Sequence, residues 1–380
     1  MALVLLALGF IVGYGYHTLN SAPPPIATIP ARAPKPLAVA PVPPTVKGLR
    51  ASPDGMKLAF TGVYNDQTQA SRFVFDLKRT TWSAQTTPRG WQDYIVQWST
   101  DNKRILFDRE KIPRVVDDSI TGGLHQAQVV ESDSAANTEL SKPSITNERA
   151  LTPKGMLPRG EKSIAGFWTP DGVLIVKTRR EPKTLFMVRD GKSVALDRAN
   201  SYQQNRAARE NGKTVFYLVR DVPGQAGQSA LYRVEGKNAR RLSEALSDVK
   251  WVYVAEGAGW MVVCREAGDD LNWMWTLYRV SPQKAVRQRE ELVTQDVSGV
   301  FWSPDRKSIL GASGKSLWLI DIPTLRSRRL GPRSDWNADD AAWLPRQNAV
   351  VVASKGALWK IDTKSGAARE LWKFPAQYWN

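Results

Sequence analysis

Val300-Phe301-Trp302-Ser303-Pro304-Asp305-Arg306-Lys307-Ser308-Ile309-Leu310 carries the fold of this chain in eleven residues. A β-rich run ends in Trp, a Ser-Pro-Asp turn follows, and a second apolar run leaves it. Pro and Asp suit the turn because Pro fixes φ and the Asp carboxylate accepts hydrogen bonds from the next backbone amides. Two short β-rich runs joined this way predict a hairpin. The phrase recurs at Ser52-Pro53-Asp54-Gly55, Ser99-Thr100-Asp101-Asn102 and Thr169-Pro170-Asp171-Gly172. Trp98, Trp168 and Trp302 stand immediately upstream of three of the four copies. A further strand echoes downstream, as Leu317-Trp318-Leu319-Ile320-Asp321, Leu358-Trp359-Lys360-Ile361-Asp362 and Leu231-Tyr232-Arg233-Val234.

Repeats of ~40–45 residues with four strands each predict a β-propeller, in which neighbouring blades cover the apolar faces that one sheet cannot bury alone. The expected fold is therefore all-β, a single propeller of seven four-stranded blades over residues 46–375, with six or eight as the competing counts. Blade 1 is expected over 46–89. Blade 2 begins at Tyr94–Trp98 and must absorb an irregular polar insertion within 109–160. Blades 3, 6 and 7 start near Ser163, Val300 and Ala341, while blade 4 contains Thr214–Val219 and Ala230–Val234 and blade 5 contains Trp251–Ala255, Trp260–Cys264 and Trp275–Val280. Trp98, Trp168, Trp302 and Trp343 are expected to pack between blades, and Trp372 and Phe374 to help close the ring against blade 1.

Residues 2–16 are uncharged and mostly apolar. A spanning helix needs about 20 apolar residues, so residues 1–19 are expected to form an N-terminal transmembrane helix, with a cleaved signal peptide or an interfacial helix as alternatives. Residues 20–45 hold Pro23, Pro24, Pro25, Pro30, Pro34, Pro36, Pro41, Pro43 and Pro44, an extended, semi-rigid linker by composition. Residues 376–380 are a short tail. Cys264 is the sole cysteine, which excludes an intrachain disulfide and fits a buried small hydrophobe.

The formal charge is +16, of which +3 falls in residues 1–150 and +13 in the rest. Such a field favours acidic partners without naming one, and no nucleic-acid motif accompanies it. The two histidines, His17 and His125, are too few for a His-rich metal centre. No nucleophile elbow, phosphate-binding loop or zinc-protease motif is present. Asp117-Asp118 and Asp339-Asp340 lack calcium-loop spacing. The expectation is a protein without enzyme activity, cofactor or metal, with His125 exposed on a loop.

The repeats resemble those of TolB-type proteins, on the Trp-Ser-Pro-Asp turns and the Leu-Tyr/Trp-x-x-Asp strands quoted above, at superfamily level only. That resemblance implies an extracytoplasmic interaction module of the cell envelope. The leading expectation is a membrane-anchored, periplasmic or extracytoplasmic scaffold subunit. Its partners would be the lipid bilayer, through the N-terminal helix, and a membrane or envelope protein complex. An envelope polyanion- or carbohydrate-binding protein is the alternative, and a propeller enzyme with a carboxylate-based site the second. The candidate surface comprises Arg179, Arg180, Arg206, Arg209, Arg240, Arg241, Trp273, Trp275, Arg333 and Trp336. Gathering of the Arg179/Arg180, Arg206/Arg209 and Arg240/Arg241 pairs at one end would favour a polyanion, and their distribution around the rim would weaken it.

Overall fold

The structure is a computed structural model that describes residues 44–375, apart from 65–69, 112–121, 132–142, 152–156, 158–162, 179–180, 190–191, 237, 256–258, 267–272, 294–296, 314–315 and 332–337. The expected anchor and tail, and the expected linker up to residue 43, lie outside the described residues, while Thr45, placed at the linker's end, opens the first strand. No helix among the described residues is long and apolar enough to cross a membrane.

Each copy of the repeated turn closes in the same way. Ser52 Oγ donates to Asp54 Oδ1 at 2.6 Å and accepts from the Lys57 amide at 2.9 Å, while the Met56 amide donates to the same carboxylate at 3.0 Å. Ser99 and Asp101, Thr169 and Asp171, and Ser303 and Asp305 repeat the hydroxyl-to-carboxylate bond. The fourth turn position is left-handed in every copy: φ is 71° at Gly55, 59° at Asn102, 79° at Gly172 and 60° at Arg306. Hairpins follow, and the described strands form seven antiparallel sheets of four strands each. The seven-bladed, four-stranded expectation holds.

Every sheet consists of four strands consecutive in sequence, from Thr45–Ala51 through Thr81–Thr86 in blade 1 to Ala338–Leu344 through Ala368–Lys373 in blade 7. Among the described residues, no strand from one end of the propeller completes a sheet at the other. Blades 7 and 1 instead meet through side chains. Phe60, Phe73 and Phe75 of blade 1 share a core with Ala342, Val351, Leu358 and Phe374 of blade 7. Phe374 stands edge-on to Phe73 at 5.2 Å, and Trp372 lies 5.6 Å from Trp82. The Asp340 carboxylate accepts from the Leu49 amide at 2.9 Å, and the Gln347 side chain donates to the Gly55 carbonyl.

First strands pack on one another where blade 1 meets blade 2, 2 meets 3, 4 meets 5, 6 meets 7 and 7 meets 1. Their backbones come so close that a Cβ on Gly48 would lie 2.7 Å from the Ile95 carbonyl oxygen. The repeated tryptophans bind neighbouring blades: Trp98 Nε1 donates to the Arg50 carbonyl and Trp343 Nε1 to that of Phe301. Trp98 and Trp168 are buried. Cys264 is buried between blades 5 and 6, and burial pushes its thiol up to about 12.

One expectation is corrected. Inside the supposed insertion at 109–160, Gly122–Glu131 and Pro143–Ala150 are the third and fourth strands of blade 2. Ala127, Val129 and Ile145 pack in the core between blades 1 and 2, whereas His125 and Glu148 stand at a charged cluster and interrupt the apolar alternation.

Candidate functional site

Three outer strands, Asn238–Arg241 of blade 4, Ala285–Val293 of blade 5 and Ser327–Leu330 of blade 6, hold six arginines against Glu290 and Glu291. Arg240, Arg241, Arg287, Arg289, Arg328 and Arg329 are all exposed. The outer strand of blade 1, Thr81–Thr86, has no charged residue. Clusters separated by one repeat length in sequence thus come to equivalent places on consecutive blades.

The register gives each strand one arginine toward each neighbour, since directly opposed antiparallel residues share a face. Arg241, Arg287 and Arg329 lie opposite Tyr232, Tyr278 and Trp318, on faces toward the preceding blade. Arg240, Arg289 and Arg328 face the following blade. Two of these reach across: Arg240 donates to the Pro282 carbonyl of blade 5, and Arg289 to the Leu325 carbonyl of blade 6. Arg287 pairs with Glu290 on its own strand. Part of this charge therefore fastens the rim, and the excess of guanidinium over carboxylate remains at the surface.

A second charged cluster is buried between blades 1 and 2. Arg72 and Asp93 are 1% and 0% exposed. Arg109 binds Asp93 through two parallel bonds of 2.8 and 2.9 Å, and Arg72 approaches it at 3.1 Å. Glu148, on the fourth strand, accepts from both guanidiniums at 2.5 Å. Burial pushes the Glu148 carboxyl up, but hydrogen bonds and charge from Arg72 and Arg109 outweigh it and hold the pKa below its ordinary value. His125 is on the third strand, not on a loop, and its ring stacks on Phe107 at 5.5 Å. Burial, then the Arg109 charge, lowers its pKa, so the imidazole is neutral at pH 7. A carboxylate held ionised between two guanidiniums is poorly suited to deliver a proton; its clear role is to join the blades.

A comparable link joins blades 3 and 4. Tyr202 donates to Asp197 at 2.8 Å, Arg220 approaches the same carboxylate at 3.1 Å, and its guanidinium lies 4.0 Å above the Tyr232 ring. Among the described residues, no three His, Cys, Asp or Glu side chains gather to hold a metal ion.

The four described arginines among the candidates all belong to blade 4. Arg206 and Arg209 are exposed on the first strand of blade 4, where Arg209 approaches Asp171 at 3.7 Å. Arg240 and Arg241 are on the outermost strand of the same blade. The row Arg206–Tyr217–Arg233–Arg240 sets the two pairs toward the same end of blade 4, on its first and last strands. The rim carries a further grouping, to which Arg240 and Arg241 alone of the candidates belong. Trp275 is corrected from surface to core: it is 8% exposed and packs against Gly311 of blade 6. Trp273 is on the same strand. Arg179, Arg180, Arg333 and Trp336 lie outside the described residues.

No family model matches the chain, and no curated protein does. Among solved structures, an oligogalacturonate lyase in complex with manganese shares 13% identity at a TM-score of 0.56, over 82% of this chain and 86% of that one. The β-propeller domain of the Trilobed protease from Pyrococcus furiosus, described as having an open velcro topology, shares 10% identity at 0.52 over 87% and 99%. A puromycin-hydrolysing peptidase of Mycobacterium tuberculosis shares 12% at 0.55, over 86% of this chain and 52% of that one. Likeness at these identities shows the seven-bladed propeller fold at superfamily level. It also overturns the expectation of a protein without enzyme activity. The same fold occurs in a lyase and within a peptidase, so the lack of a linear catalytic motif excludes nothing.

Proposed function

We propose that this propeller binds a polyanion through the outer strands of blades 4, 5 and 6. The observation that carries the reading is the assembly of Arg240, Arg241, Arg287, Arg289, Arg328 and Arg329 on three consecutive outer strands. A linear array of guanidiniums attracts an extended negative chain at long range and grips its carboxylate, sulfate or phosphate groups at short range. The alternative of a protein scaffold loses an expected aromatic anchor, because Trp275 belongs to the core. The lyase named for oligogalacturonate lends only the fold. An N-terminal apolar run followed by prolines supports display of the rim at the cell envelope.

Arg241→Gln, Arg287→Gln and Arg328→Gln combined spare the two arginines that tie blades together. Binding of a fluorescent acidic polysaccharide at low salt is expected to weaken at least tenfold in this variant, and its salt dependence to flatten. Unchanged affinity and an unchanged salt slope would refute the rim as the binding surface.

A further inference from the structure

The three aromatic–arginine pairs on the outer parts of blades 4 to 6 occupy equivalent places but differ in exposure. Tyr232 and Tyr278 are 7% and 2% exposed, whereas Trp318 is 36% exposed. Trp318 stands opposite Gly311 and Arg329, so the three share one face of blade 6. That face looks toward blade 5, because the Trp275 ring of blade 5 rests on Gly311. From the other side, Arg289 lies opposite Leu277. Leu277 packs with Val300, Ile309 and Ile322 of blade 6. Arg289 and Arg329 therefore lie on facing sides of the junction between blades 5 and 6, whose outer edge is open at the exposed indole of Trp318.

We propose that this opening is a subsite for a hexuronate unit of an acidic polysaccharide. The Trp318 indole stacks on the pyranose ring, and the Arg289 and Arg329 guanidiniums take the carboxylate. An exposed indole offers a flat apolar face with a polar edge, which matches the C–H face and hydroxyl rim of a sugar. The planar guanidinium fork matches a carboxylate. A guanidinium carries five N–H donors, so the Arg289 bond to the Leu325 carbonyl is compatible with holding a ligand. Blades 4 and 5 keep the arginine but bury the ring, so ring recognition is confined to blade 6. This rests on the polyanion reading above and gives the polymer its chemical class.

The test compares polygalacturonate with polyglutamate of equal charge and length, on the full chain at one salt concentration. Both carry carboxylates, and only the first has sugar rings. The expected result is tighter binding of polygalacturonate with a change in tryptophan fluorescence. Trp318→Ala should weaken polygalacturonate about tenfold and leave polyglutamate unchanged, and Trp318→Phe should recover part of the loss. Retained polyglutamate binding shows that the variant is folded and its rim intact. Equal affinity for the two polymers, with no effect of Trp318→Ala, would overturn the sugar subsite and leave the polyanion reading standing. Binding of neither polymer would overturn both.

Discussion

Serine or threonine opens each repeated turn because its hydroxyl both donates to the Asp carboxylate and accepts from a later amide. The fourth position is less well served. Arg306 holds φ at 60° where two of the other copies have Gly, and left-handed backbone costs a residue with a Cβ about 1–2 kcal/mol. Arg306→Gly is expected to stabilise the protein by about 0.5–1 kcal/mol after the entropy of the glycine is counted, read from the urea midpoint. Glu148 illustrates the opposite case. Glu148→Gln leaves Arg72 and Arg109 with one carboxylate between them. Breaking a buried pair costs about 3–5 kcal/mol, and partial exposure of Glu148 reduces the expected loss to about 2–3 kcal/mol. The same cluster sets a pH dependence. His125 and Glu148 both have folded-state values below their ordinary 6.5 and 4.5. The unfolded chain therefore binds more protons, and their contributions shrink as pH falls, for His125 from about 6.5 downward and for Glu148 from about 4.5. Asp197, raised by burial, acts in the other sense. The His125 share is isolated by comparison with His125→Phe, whose urea midpoint should fall less between pH 7 and 5 than that of the unaltered protein.

At the scale of strands, apolar alternation made the hairpins after Ser52, Thr169 and Ser303 legible, and the matching strands at Leu317 and Leu358 fixed the last two blades. Strands of blade 2 were not legible. His125 and Glu148 gain their environment from Arg72 of another blade and from Asp93 and Arg109 across the sheet. Either strand read alone shows charged and amide side chains breaking its short apolar runs. The basic rim was half legible: its clusters stand out in sequence, but their outer-strand positions emerge only when the repeats are superposed as blades. Glycines at the inner strands are a sharper case. Gly48→Ala would place a Cβ 2.7 Å from the Ile95 carbonyl at a φ of 64°, and should cost about 2–4 kcal/mol through strain and overpacking. Gly172→Ala has a similar φ, but no atom lies within 4 Å of the added Cβ, and about 1 kcal/mol is expected. Similar losses in the two variants would contradict the close approach of the first strands.

For the whole molecule, closure through side chains rather than a shared sheet places unusual weight on a few residues. Trp372 touches Phe60, Phe73, Phe75 and Trp82 of blade 1. Trp372→Ala should therefore cost about 3–5 kcal/mol and expose the blade 1–blade 7 seam first. Hydrogen exchange should quicken in Thr45–Asp76 and Ala338–Lys373 before other blades, whereas uniform acceleration would argue against a weak seam. The closed ring is also what turns sequence clusters one repeat apart into a continuous basic rim. The most direct test of that claim is a hydrogen-exchange footprint with a saturating acidic polysaccharide. Protection confined to Asn238–Arg241, Ala285–Val293 and Ser327–Leu330 is the predicted result. Protection centred on blades 1 to 3, or none at a concentration where binding is measured, would contradict it.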